Sequence, residues 1–182
     1  MPTFDELAPG TWTIDAAHTT AGFTARHLMI TKVRGRFTGV TGTVTVPESR
    51  TDAEVVATID MATVDTGDAG RDEHLRSSDF FDVAQHPTMS FTSTGVKVDG
   101  DDLTLLGDLT IKGATRPVEL DLELEGVGPD PWGGTRAGFT AEGTINRRDW
   151  GLEWNVALES GGVLVSEKIS LHLDVQLVRV ES

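Results

Sequence analysis

Residues 118–125 read Val118-Glu119-Leu120-Asp121-Leu122-Glu123-Leu124-Glu125, a strict alternation of apolar and acidic side chains. Successive side chains of a β-strand point to opposite faces of its sheet, so this stretch predicts a strand with one apolar and one wet face. Such a strand has to hide its apolar face, and the fold depends on how the rest of the chain covers it.

Period-two alternation recurs along most of the chain. We predict strands at 11–16, 20–28, 34–46, 54–62, 88–98, 103–111, 118–125, 136–146 and 163–179. The glycines of 34–46 suit a long, bent strand with a bulge at Gly39 or Gly42. Short turns such as Asp99-Gly100-Asp101 are typical of antiparallel hairpins. About eight strands of this kind form an all-β domain, which closes into a barrel or folds into a sandwich.

One segment, residues 69–82, interrupts the strands with a short helical insertion. Asp68 is placed to cap a helix at 69–77, and acidic residues follow in its first turn. Ser78 is placed to cap a further single turn at 79–82, which carries the adjacent rings of Phe80 and Phe81. We expect this insertion to be an ordered cover, with at least one of the two rings facing the barrel.

Composition limits the class of protein. The chain has 182 residues, enough for one larger domain, and we expect an N-terminal arm at 1–10 and a single barrel domain at 11–182. It contains no cysteine, which excludes disulfides and thiolate metal sites. A net charge of −14 argues against nucleic acid and anionic membranes as partners and fits a small, mostly apolar ligand.

The N-terminal residues Met1 to Trp12 show neither the basic nor the apolar region of a signal peptide. No run approaches the roughly 18 apolar residues of a membrane helix. From these features we expect a cytoplasmic protein without stable membrane insertion; a mature protein from which a leader has been removed would show the same features.

The predicted inner face of the barrel mixes bulky and small residues. Leu, Val and Phe positions are interrupted by Ala25, Ala57, Gly107, Ala141 and Gly143. Small inward residues leave room for a ligand, but they also fit the taper of a filled core. The pattern alone leaves an open lumen and a solid core as alternatives.

Several blocks together resemble the YceI-like family of lipocalin-like, polyisoprenoid-binding proteins. The resemblance runs from about residue 11 to 178. It is carried by Trp12-x-Ile14-Asp15-x-x-His18-Thr19, Phe23, Arg26-His27-Leu28, Arg71-Asp72-Glu73-His74-Leu75, Asp79-Phe80-Phe81-Asp82, Pro87, Phe91, Gly107-Asp108-Leu109-Thr110-Ile111, Gly113, Thr115, Pro117 and Arg148-Asp149-x-Gly151. Trp150 departs from the family, which more often has Phe there, and many members carry an export signal that this sequence lacks.

The resemblance implies an extended antiparallel, lipocalin-like β-barrel with a long apolar lumen, and it is consistent with a homodimer. The implied ligand is a polyisoprenoid, an isoprenoid quinone or a fatty-acid derivative, with no cofactor. Strand parity and the helical insertion give the expected ligand-binding residues, although a bulge inverts the parity of any strand that carries one. They are Phe23, Ala25, Ile59, Phe80, Phe81, Phe91, Leu105, Leu120, Leu122, Phe139, Ala141, Leu171 and Leu173.

Other kinds of site have weaker signals. The five histidines, His18, His27, His74, His86 and His172, show no tight metal-ligand spacing. No nucleophile elbow surrounds Ser77 and Ser78 near His74. The basic run Arg26, Lys32, Arg34 and Arg36 either meets an anionic headgroup or forms a solvated strand edge. We therefore expect binding without catalysis; the alternatives are an enzyme acting on a lipophilic substrate in the same pocket, or a stress-related interaction protein with a filled core.

Overall fold

A computed structural model describes residues 3–28, 30–155 and 165–181. In these ranges strands dominate, and a single α-helix, α1, spans Ala69–Arg76. The strands are β1 Gly10–Ile14, β2 Thr20–His27, β3 Thr31–Phe37, β4 Val40–Val46, β5 Glu54–Asp60, β6 Thr88–Asp99, β7 Asp102–Ile111, β8 Ala114–Pro129, β9 Thr135–Asn146 and β10 Lys168–Arg179. Val163, at the start of the predicted last strand, lies outside the described residues.

The strands form one closed antiparallel barrel. The ring runs β1-β4-β5-β6-β7-β8-β9-β10, and pairing of β1 with β10 at Trp12 and Arg179 closes it. β2 pairs with the same edge of β10 further along, where Phe23 faces Leu171. β1 and β2 thus lie end to end along β10 as one interrupted wall strand. The predicted closed antiparallel barrel of about eight strands is confirmed.

The predicted long strand at 34–46 is split into β3 and β4. The break falls at Thr38 and Gly39, whose backbone N–H groups donate to the Thr63 hydroxyl at 3.2 and 3.1 Å. Because a side chain outside the strands satisfies these donors, the ladder stops for two residues and the chain bends. Gly39 is therefore the site of an interruption and not of a bulge.

β8 shows why alternation predicts this fold well. Val118, Leu120 and Leu124 are buried, and the acidic residues between them are exposed. The strand is longer than the predicted 118–125, because pairing with β7 and β9 extends it in both directions. The register shifts between Leu124 and Gly126, so the period-two pattern ends there.

The predicted N-terminal arm packs against one end of the barrel. Leu7 is buried, and its carbonyl oxygen accepts a hydrogen bond from Arg50 Nε at 3.0 Å. Trp12 is completely buried, and its indole N–H donates to the Ala8 carbonyl at 3.1 Å. Residues 4–8 and the Trp12 ring thereby form a plug, which we call the closed end of the barrel.

The insertion after β5 differs in part from its prediction. Asp68 caps α1 by accepting from Arg71 N–H at 2.9 Å, and this bond holds the pKa of Asp68 below its usual value. The helical turn predicted at 79–82 is wrong. The N–H groups of Phe81, Asp82 and Val83 bond back to the carbonyls of Leu75, Ser77 and Arg76 at the end of α1. Asp82 takes a left-handed conformation with φ of 48°, so the segment reverses direction and does not start a new helix.

The break between β1 and β2 is held by charged side chains. Asp15 accepts from His18 at 2.8 Å and from Arg136 of β9 at 2.7 Å, and these two bonds lower the pKa of Asp15. Arg136 also donates to Asp130 at 3.0 Å. His18 is thus paired with a carboxylate, as a structural histidine often is.

Candidate ligand-binding site

The barrel encloses a cavity of about 590 Å³. Side chains from the strands of the ring and from β2 and β3 form its wall. Phe23, Leu122 and Leu171 point inward yet are only half-buried, because one side of each faces the void. Apolar side chains in a filled core have no such free side, so this barrel has an open lumen.

All thirteen side chains expected to bind the ligand lie in the cavity wall. They are Phe23, Ala25, Ile59, Phe80, Phe81, Phe91, Leu105, Leu120, Leu122, Phe139, Ala141, Leu171 and Leu173. The structure thus brings together residues from seven strands and from the segment after α1. Their contact with a ligand stays a prediction.

The small residues of the inner face have two different roles. Ala25, Ala57 and Ala141 line the cavity. At Gly107 an added Cβ would lie 2.2 Å from the ring of Phe91, so the ring already fills that space. Gly107 therefore makes room for an aromatic ring, whereas the three alanines make room for the lumen.

The two ends of the cavity differ. At the closed end the wall consists of apolar residues such as Phe4, Leu7 and Val44. At the opposite end lie Arg26, His27, Gly70 and Arg71, the four exposed residues among the described residues of the wall. We call this second end the mouth. It is bordered by α1 and by the turn between β2 and β3.

Phe80 and Phe81 both border the cavity, but they pack differently. Phe80 is buried, with its ring centroid 5.2 Å from that of His74 and 5.3 Å from that of Trp154. Phe81 is half-buried and meets Phe37 edge-on at 5.8 Å. Both residues line the cavity, so the expectation that at least one of the two rings faces the barrel is met.

A buried arginine at the mouth was missed by the sequence reasoning, which interpreted the neighbouring Arg148 to Gly151 as a simple turn. Arg147 is only 4% exposed, and its guanidinium donates to the backbone carbonyls of Ser166 at 2.9 Å and Leu152 at 2.5 Å. Burial lowers the pKa of Arg147. Strand parity could have found it, because Arg147 continues the inward series of Ala141 and Ile145 on β9.

His74 also faces the mouth from α1. Its Nε2 lies 2.8 Å from a carboxylate oxygen of Asp79, and its ring contacts Trp154 edge-on at 4.6 Å. A histidine–carboxylate pair is a component of acid–base sites, but the other neighbours of this ring are aromatic. Within the described part of the chain, no three His, Asp or Glu side chains cluster closely enough to hold a metal ion.

Comparison with known proteins places this fold and cavity in a family. The family model of the YceI-like domain matches residues 12–177. Protein YceI of Escherichia coli O17:K52:H18 is 46% identical over 140 residues, which cover 76% of this chain and 73% of that protein. Protein YceI of Salmonella newport is 41% identical over 166 residues, covering 91% and 84%.

Solved structures show the same architecture. The crystal structure of a Campylobacter jejuni YCEI protein aligns with a TM-score of 0.71 at 29% identity, covering 86% of this chain and 90% of that one. A polyisoprenoid binding domain from Saccharophagus degradans aligns with a TM-score of 0.70 at 17% identity, covering 93% and 98%. At 17% identity the likeness is one of fold alone. The family match spans nearly the whole barrel, from the closed end to the last strand, and the chain belongs to the YceI-like family.

Proposed function

We propose that this protein binds a lipophilic, chain-like molecule in the barrel cavity and stores or transports it without chemical turnover. The ligand is a polyisoprenoid, an isoprenoid quinone or a fatty-acid derivative. The observation that carries the proposal is the cavity itself. Its volume of about 590 Å³ falls within the ~300–1,000 Å³ of small-molecule sites, and its wall is almost entirely apolar.

The distribution of polar groups indicates how such a ligand lies. The charged and imidazole side chains of the wall, Arg26, His27, Arg71, His74 and Arg147, all belong to the mouth. The chain would run toward the closed end, where its burial contributes roughly 25 cal/mol per Å² of apolar surface. Its polar head would stay at the mouth, beside groups that can donate hydrogen bonds.

The relatives support a ligand of this class. The Saccharophagus degradans domain with the same fold is described as polyisoprenoid binding. Since that likeness is one of fold, the ligand class comes to this chain as part of the proposal.

The two alternative functions fit the structure less well. A stress-related interaction protein with a filled core does not fit a barrel that encloses a cavity of this size. An enzyme acting on a lipophilic substrate would have to use the pair of His74 and Asp79, whose surroundings are the aromatic rings of Phe80 and Trp154. These rings suit a hydrophobic closure of the mouth better than proton transfer.

The cavity is tested by filling it. Ala141 is buried and faces the lumen between Leu122 of β8 and Leu173 of β10, so Ala141→Trp should block the passage. We expect a folded variant that binds a fluorescent prenyl or fatty-acyl probe at least tenfold more weakly, and native mass spectrometry of the wild type should show a co-purified lipid. Thr144→Trp, on the exposed outer face of the same strand, is the matched control and should bind normally.

Unchanged probe affinity in folded Ala141→Trp would contradict the proposed site. Conversion of an ester or quinone substrate at catalytic stoichiometry, lost in His74→Ala, would contradict binding without turnover. The homodimer and the cytoplasmic location stay predictions, to be checked by analytical ultracentrifugation and by cell fractionation.

A further inference from the structure

We propose that the hairpin of β2 and β3 is a docking surface for an anionic phospholipid bilayer. We call residues 20–37 the mouth hairpin, because its turn borders the mouth of the cavity at His27. The proposal goes beyond ligand binding, since it concerns the outer face and the tip of the hairpin, where, of the apolar and cationic side chains it uses, only Arg26 also borders the cavity.

The tip of the mouth hairpin presents apolar side chains to solvent. Ile30 is 75% exposed and Leu28 is 38% exposed. The N–H of Ile30 donates to the His27 carbonyl at 3.0 Å, which links the end of β2 to the start of β3. Single exposed apolar residues are common on soluble proteins, so the tip defines a surface only together with what surrounds it.

The outer face of the mouth hairpin is basic. Arg26 of β2 stands directly opposite Lys32 of β3, and Arg34 follows two residues later on the same face. Like charges directly across a pair of strands destabilise a sheet. In the described part of the chain, Arg26, Lys32 and Arg34 have no acidic side chain at ion-pair distance, whereas Arg36 pairs with Asp65 at 3.7 Å. An opposed, uncompensated pair of cations fits an anionic partner.

The wall opposite the mouth hairpin carries exposed acidic side chains. In the ring of strands, β7 and β8 lie across the barrel from β2 and β3, and their outward residues include the exposed acids Asp108, Glu119, Asp121 and Glu123. Two sheets packed face to face are ~10 Å apart, and at physiological ionic strength the Debye length is about 8 Å. Because charges separated by more than a Debye length are largely screened, the acidic wall acts only weakly on a surface that the basic wall faces. The net charge of −14 therefore does not prevent the basic wall from meeting an anionic surface.

A bilayer is the partner that this combination fits. Apolar side chains at the tip enter the interfacial region, and basic side chains beside them attract anionic headgroups. The docked protein would hold its mouth close to the membrane, where a lipophilic chain could pass into the cavity. That purpose rests on the proposed function, but docking itself needs no bound ligand and is measured separately.

The test is sedimentation of the purified protein with vesicles at physiological ionic strength, where the Debye length is about 8 Å. Vesicles of equimolar phosphatidylglycerol and phosphatidylcholine should retain the protein, and vesicles of phosphatidylcholine alone should not. Retention should fall as salt is added, because screening weakens attraction to the surface. No retention by the anionic vesicles, or equal retention by both kinds, would overturn the proposal.

Two pairs of variants locate the surface. Ile30→Asp should weaken retention by about tenfold or more, whereas Val98→Asp, at an exposed strand position near the other end of the barrel, should not. Lys32→Glu should weaken it by roughly fivefold or more, whereas Lys97→Glu on β6 should not. Equal effects of the paired variants would place the contact elsewhere and sink the proposal.

A second measurement, with single dye labels, does not depend on the charge-changing variants and still works if one of those variants loses stability. The chain has no cysteine, so Ile30→Cys and Val98→Cys can each carry a single polarity-sensitive dye. We expect a blue shift with anionic vesicles at position 30 and none at position 98. Retention on an immobilised acidic polypeptide without this shift would identify a protein as the partner and contradict the bilayer. Binding of a soluble fatty-acyl probe to the same proteins shows whether the cavity works, so docking and ligand binding can fail independently.

Discussion

A glycine on the inner face of β7 is matched to an aromatic ring on β6. Phe91 and Gly107 lie on neighbouring strands, and the Phe91 ring occupies the position that a Cβ of residue 107 would take. Gly35 is related in the same way to Phe23, whose ring would lie 2.3 Å from an added Cβ. The sequence indicates small inward residues, but it does not tell which of them border a cavity and which lie under a ring. That distinction depends on rotamers across two strands, which period-two alternation does not encode.

Replacing Gly107 by alanine should therefore destabilise the barrel. The new Cβ would push the Phe91 ring into the lumen, and overpacking of this kind typically costs about 1–3 kcal/mol. For a domain of this length each kcal/mol lowers Tm by about 2–4 °C, which a thermal melt detects. Gly95→Ala is the control, because no atom lies within 4 Å of the place that its new Cβ would take and its backbone is not left-handed. Equal melting of the two variants would show that the ring at position 91 moves without cost.

At the level of secondary structure, the sequence pattern predicts the strands well and the insertion after β5 only in part. The alternation of β8 predicts its buried and exposed faces up to Leu124, where a bulge ends the pattern. α1 and its Asp68 cap follow from local side-chain chemistry. The reversal after Arg76 does not, because it depends on backbone bonds that return to the end of α1. The inward position of Arg147 could have been predicted from the strand parity of β9. It was missed because the residues that follow it were interpreted as a simple turn.

The two phenylalanines of the insertion should respond differently to truncation. Phe80 is buried against His74, Trp154 and the Arg147 guanidinium, so Phe80→Ala should cost ~3–5 kcal/mol of the ~5–15 kcal/mol typical of a domain. Phe81 is half-buried beside Phe37, so Phe81→Ala should be milder and should mainly speed release of a bound probe. Thermal melts and probe dissociation rates separate the two effects. If both variants melted and released probe like the wild type, the insertion would be a surface loop and not a cover.

The distribution of polar and charged side chains over the whole molecule is asymmetric both along the barrel axis and across it. Along the axis it runs from the apolar plug around Trp12 to the mouth with Arg71, His74 and Arg147. Across the axis it runs from the basic outer face of β2 and β3 to the acidic outer face of β7 and β8. Under the two proposals, the first direction would orient a ligand inside the barrel, and the second would orient the barrel on a charged surface. Neither direction follows from total composition, because a net charge of −14 does not tell where on the surface the charges lie.

The axial direction predicts that a fatty-acyl ligand enters methyl end first. Its methyl end should lie near Phe4 and Leu7 at the closed end, because apolar burial is greatest there, and its carboxylate should lie at the mouth. Single nitroxide labels can be placed on Asp5→Cys beside the plug and on Glu73→Cys of α1, both exposed positions in a chain without cysteine. A probe with its fluorophore at the methyl end should be quenched by the label at position 5, and a probe with its fluorophore beside the carboxylate should be quenched by the label at position 73. The reverse pattern would mean that the polar head is carried into the barrel, and Arg147 would then be too far from the carboxylate to bind it.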